Sequence, residues 1–137
     1  MLLAGSLMAF TGCKDDGKDS GKDVSIIGTW QYDTSVEYTT VDGEVRVGPD
    51  TYDYTDENAS VIFKEDKTFQ SIWQGTVEAQ GKYSYSNGKI HFVYDDGTED
   101  DVTVKTLTDN SLIVVWEDDD SVNGKVIIEV VEDHFSR

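Results

Sequence analysis

From Val24 onward the chain alternates apolar and polar residues with a period of two, and no stretch sustains apolar positions at helical spacing. Short runs rich in Val, Ile, Tyr, Phe, Trp and Thr recur between turn residues, which is how strands read. The pattern predicts strands at 26–32 (with an extension through 37–40), 44–47, 59–64, 68–74 and 76–86. Further strands are expected at 89–94, 98–107, 111–117 and 125–132, with a long loop at 48–58 around the only proline, Pro49. Asn87-Gly88 and Asp96-Gly97 read as two-residue hairpin turns with positive φ at both central positions.

Alternation then defines an inner face. Val61 and Phe63, Phe69 and Trp73, and Tyr83 and Tyr85 point inward in the first half. In the second half Ile90 and Phe92, Val102 and Val104, and Leu112, Val114 and Trp116 do the same. On the last strand Val126, Ile128 and Val130 are placed inside. Consecutive antiparallel strands joined by tight turns must close or split into two sheets to hide their edges. Few connections are long enough for repeated sheet crossings, so the expected fold is all-β. It is an antiparallel up-and-down β-barrel of about eight strands with no major helix.

Composition narrows the partners. The 137 residues suffice for one domain, and 28 Asp and Glu against 11 Lys and Arg give a net charge of −17. Nucleic acids and anionic membrane surfaces repel such a chain, because phosphate binding needs clustered Lys and Arg. A single cysteine, Cys13, excludes an intramolecular disulfide and a multi-cysteine zinc site. No cofactor is expected.

That cysteine sits at the sharpest compositional break in the chain. Residues 1–12 carry no charge, and 14–23 read Lys-Asp-Asp-Gly-Lys-Asp-Ser-Gly-Lys-Asp, a low-complexity run with nothing to bury. The stretch Phe10-Thr11-Gly12-Cys13 resembles the lipobox of bacterial lipoproteins, with Phe where Leu is usual. The resemblance implies cleavage after residue 12, lipidation of Cys13 and a tether over 13–25, ahead of a barrel domain at 26–137. No basic residue precedes the apolar stretch, so a start further upstream is expected. An acidic run after the cysteine resembles the export tag of some Gram-negative surface lipoproteins. The implied address is the outer membrane, at the cell surface or the periplasmic face, with the lipid as the only membrane contact.

The folded part carries a second resemblance. Ile27-Gly28-Thr29-Trp30 resembles the Gly-x-Trp signature of lipocalins, and 61–69, 81–85 and 89–92 are similar to the lipocalin-like domains of small bacterial lipoproteins. In that family the tryptophan plugs the closed end of the barrel, so Gly28 and Trp30 are expected to be structural. Larger members add a C-terminal helix and a late arginine packed on this tryptophan. The arginines here are Arg46 and Arg137, and neither feature is evident from the sequence. The family implies a binding or interaction module, with a small hydrophobic ligand where a pocket exists.

Whether the barrel has room is a matter of volume. Eight strands enclose either a filled interior or one small molecule. The aromatic bulk favours a filled interior, with Ser71, Ala79 and Gly81 as the available space. If a pocket exists, Trp73, Tyr83, Tyr85 and Trp116 are its expected lining. The alternative is a structural accessory or protein-interaction subunit with a solid core.

Other chemistry is sparse. Asp118–Gly124 begins like a calcium loop but lacks the terminal acid, so it reads as a solvated turn and no metal is expected. His91 falls on an outer strand face and His134 in the C-terminal tail, with no nucleophile motif beside either. No enzyme is expected. Ile113, Val115, Ile127 and Val131 form a second apolar face on the last two strands, a candidate interface for a protein partner, a second copy or the segment 34–58.

Overall fold

The computed structural model describes residues 23–137; Cys13 and the lipobox lie outside them. Among the described residues there are nine strands and no helix. They are β1 (Gly28–Val41), β2 (Glu44–Asp53), β3 (Ser60–Phe63), β4 (Thr68–Trp73) and β5 (Thr76–Ser86). β6 (Lys89–Tyr94), β7 (Glu99–Leu107), β8 (Ser111–Asp119) and β9 (Ile127–Ser136) complete the chain. Every pairing is antiparallel, and β9 returns to pair with β1 from Gln31–Ser136 to Val41–Ile127. This closes an up-and-down barrel of eight strands, with β2 as an appended ninth.

β1 is the longest strand because it serves three neighbours. One edge follows β9; the other pairs with β3 over Gly28–Gln31 and with β2 over Thr34–Val41. The expected loop at 48–58 is therefore corrected. Residues up to Asp53 belong to β2, and only 54–59 cross from it to β3. Pro49 misled the reading, since proline usually breaks a strand. β2 is an edge strand, whose outward N–H groups have no ladder to serve. Gly48, at φ +80, sits beside the register shift between Glu37 and Thr39. A Cβ there would lie 2.7 Å from the Glu37 carbonyl oxygen.

The hairpin turns follow the sequence, with one correction. Asn87 and Gly88 both have positive φ (52° and 72°), as a two-residue type I′ turn requires. At Asp96-Gly97 only Gly97 does. The Tyr94 N–H reaches the Thr98 carbonyl and the Gly97 N–H reaches the Tyr94 carbonyl, a three-residue loop closed by a glycine bulge.

The core lies at the end of the barrel where β1 begins. Trp30 is fully buried among Ile26, Phe63, Ile90 and Leu112, and its indole N–H donates to the Ile26 carbonyl at 2.8 Å. Arg137 lies over the Trp30 ring, 3.9 Å from its centroid. Its guanidinium also donates to the carbonyls of Asp109, Ile27 and Ser25 at 2.8, 2.8 and 3.0 Å. The late arginine, not evident from the sequence pattern, is Arg137, delivered by the end of β9 with no helix among the described residues.

The inner face agrees with the alternation on β3 to β8 but not on β9. Trp116 and Val131 are register partners, as are Val114 and Asp133, and directly opposed residues share a face. Val131 and Ile127 therefore belong to the inner face, and Val130 and Ile128 to the outer one. Val130 is nevertheless buried, flanked in register by Tyr38 and Glu117. The proposed apolar patch divides accordingly. Ile113 and Val115 face outward beside His134 and Glu132, whereas Ile127 and Val131 do not join them. All four are only half-exposed.

Candidate functional site: a cavity inside the barrel

The core does not fill the barrel. Between the Trp30 end and the opposite rim lies a cavity of about 210 Å³. The expectation of a filled interior is corrected by small side chains on neighbouring strands. Ser71 on β4 faces Ala79 on β5 in register, and Ser60 and Ala59 stand at the start of β3. Strands of a barrel converge on one axis, so two or three small residues at one level leave a void that larger neighbours cannot fill. Two larger clefts, of about 420 and 440 Å³, are surface grooves beside acidic turns, one at Val77–Gln80 and the other at the β1–β2 turn.

The walls are mostly apolar. Phe63, Phe69, Ile90 and Leu112 form the floor against the core; Ile72, Trp73 and Trp116 stand toward the rim. Rings brace one another: Phe69 meets Phe92 edge-on at 4.8 Å, and Phe92 stacks with Trp116 at 6.2 Å. Such interlocked rings hold a cavity open, because none can rotate inward without losing its neighbour.

Of the four residues expected to line a pocket, Trp73 and Trp116 do so. Tyr83 does not. It is buried in the core against Phe63 and its hydroxyl donates to the Lys64 carbonyl at 2.9 Å. Tyr85, on the same face but beyond the core, is exposed to solvent.

One wall is polar, and the sequence reading missed it. Asp133 on β9 lines the cavity opposite Ser35 of β1. Its Oδ1 accepts from the Tyr32 hydroxyl at 2.5 Å and its Oδ2 from the Trp116 indole N–H at 2.8 Å. Tyr32 is sandwiched between Tyr54 and Phe135, with ring centroids 4.8 and 4.9 Å away. Burial first, and then the bond to Asp133, pushes the Tyr32 hydroxyl far above the usual tyrosine range. Tyr94, also in the lining, is pushed up to about 12 by burial and by the charge of Asp100.

The signal for Asp133 was its parity with Phe135, two residues on. It was lost because the last strand was expected to end at 132 and its apolar residues occupy both faces.

The histidines lie away from the cavity. His91, on the outer face, is clamped between Asp101 (2.7 Å to Nδ1) and Glu99 (2.8 Å to Nε2), and these bonds raise its pKa. His134 is on β9 and not in a tail, with Nε2 3.6 Å from Glu132. In the Asp118–Gly124 segment, Asp119 accepts the Ser121 N–H, and Asn123 and Gly124 turn the chain between Val122 and Lys125.

A closed antiparallel barrel, plugged at one end and hollow toward the other, defines a binding cup of the lipocalin type. A family model for the lipocalin-like domain matches residues 26–114, and the chain belongs to that family. The fold in that family typically serves binding and not catalysis. A comparison with curated proteins found no match.

Proposed function

We propose that this chain is a lipid-anchored binding module of the Gram-negative outer membrane that holds one compact, largely apolar molecule inside its barrel. The observation that carries the reading is the largely apolar cavity of about 210 Å³ inside the barrel. An apolar cavity of roughly 150 Å³ already accommodates benzene, whereas drug-sized ligands need about 300 Å³ or more. The ligand is accordingly of single-ring size. The anchor rests on the Phe10-Thr11-Gly12-Cys13 sequence and the acidic run after it. No reaction is assigned.

The two halves separate experimentally. Native mass spectrometry of protein from its own host should show a small non-covalent adduct. A Ser71→Leu, Ala79→Leu variant, which fills the void, should lose it while keeping the fold by circular dichroism. Host protein carrying no adduct, and a filled variant binding single-ring probes as well as the parent, would sink the ligand reading. For the anchor, Cys13→Ala should move the protein from the membrane to the soluble fraction and abolish palmitate labelling. A variant still labelled and membrane-bound would sink that part.

A further inference from the structure

The cavity wall holds a carboxylate, Asp133, and among the described residues no cationic side chain lines the cavity with it. Among the described residues Asp133 is the only Asp or Glu in the lining, and no Lys, Arg or His of theirs lines it. Among the described residues no ion pair involves Asp133. Its two contacts, from Tyr32 and Trp116, are neutral donors.

A carboxylate offers about four lone-pair sites, so these two bonds fix its orientation and leave acceptor capacity unused. Phe135 packs on Tyr32, whose hydroxyl, with the Trp116 indole N–H, meets the carboxylate. The chain's net charge of −17 raises the local concentration of cations and repels anions.

We infer that the barrel selects a compact organic cation, a primary or secondary amine on a single-ring or short-chain apolar body, whose ammonium group is held by Asp133. The inference rests on the proposed binding function and specifies its ligand class. The apolar floor takes the body of the molecule; Tyr32 and Trp116 hold the carboxylate ready to accept from its N–H groups. A fatty or aryl carboxylate would meet Asp133 with like charge in a site without a compensating cation. A neutral alcohol would make the hydrogen bond and forgo the charge interaction, which is the stronger part of a charge-assisted bond.

Calorimetric titration of the full chain with phenethylamine, phenethyl alcohol and 3-phenylpropionate at neutral pH tests this. The amine should bind about tenfold or more tighter than the alcohol, with the carboxylate weakest. Asp133→Asn should abolish the preference of the site for amine over alcohol, since the asparagine side chain carries no charge. Should that variant fail to fold, the ratio in the unaltered protein decides alone. Equal binding of amine and alcohol, or tighter binding of the carboxylate, overturns the inference and leaves the binding cup intact. If none of the three probes binds, this inference is overturned together with the single-ring size assigned to the ligand.

Discussion

At the scale of single residues, the closed end of the barrel depends on Gly28 and Trp30 at the start of β1 and on Arg137, more than a hundred residues later. Trp30 fills the end, Arg137 lies across it, and Gly28 makes the approach possible. A Cβ on Gly28 would stand 3.1 Å from the Arg137 Nη1, and its φ of +136 is one that other residues rarely adopt. The guanidinium does two jobs at once: it covers the indole face and accepts no substitute for its fork, because three separate carbonyls take its N–H groups. Exposed cation–π contacts contribute about 0.5–1 kcal/mol and hydrogen bonds of this kind about as much each. Arg137→Ala should therefore lower unfolding free energy by about 2–4 kcal/mol, read as a lower urea midpoint at unchanged m-value. Arg137→Lys should recover less than half of it. A variant within about 0.3 kcal/mol of the parent would show the stack to be ornamental. The arginine was invisible to pattern reading for a simple reason. Nothing local distinguishes a last-residue Arg that folds back from one that is solvated.

Among the elements, legibility followed how strictly each strand separates its two faces. On β6, Ile90 and Phe92 alternate with Lys89 and His91, and the structure keeps that assignment. On β9 the run Val126-Ile127-Ile128 and the pair Val130-Val131 supply apolar residues to both parities, so the pattern could not choose. The structure chose against Val130, which is buried on the outer face, and this hid Asp133. β2 was half-missed for a related reason: all ten of its residues are exposed, so no burial pattern marks it. The turns were better encoded. Asp66 and Asp96 each accept both the hydroxyl and the amide of a threonine two residues on, which holds their carboxyls below the ordinary range. β5 and β6 approach each other closely at Gly81, whose register partner is Tyr94. A Cβ on Gly81 would run into the Val93 carbonyl oxygen and come 2.8 Å from the Tyr94 Cα, both backbone atoms that cannot step aside. Gly81→Ala should push the strands apart, costing about 1–3 kcal/mol by overpacking and appearing as lost amide protection along 81–86 and 89–94. Unchanged protection there would mean the pairing bends freely at this point.

For the whole molecule, the consequential choice is a hollow interior over a filled one. The outline of the barrel could be read from strand count and turn chemistry, but its content could not. Volume depends on which small residues meet at one level, and register decides that. The same interior sets the response to pH. Tyr94 ionises near 12 when folded and Tyr32 higher still, against an ordinary value of 10. Both shifts arise first from burial, so the cause is the fold and disappears on unfolding. Between pH 10 and 12 the unfolded chain sheds these phenolic protons while the folded chain keeps them. The unfolded state then binds fewer protons, and stability must fall as pH rises. The stabilisation is therefore complete well below pH 10 and is lost progressively above it. Urea unfolding at pH 8, 9, 10 and 11 should show a decline that begins between pH 9 and 10 and is steepest in the last interval. Tyr54 and Tyr83 are raised by burial in the same direction, and Tyr32→Phe should flatten the decline in part, because one contributing group no longer titrates, even though it lowers stability at pH 8 by removing the bond to Asp133. An equal alkaline slope in the parent and the variant would show that Tyr32 does not carry the decline.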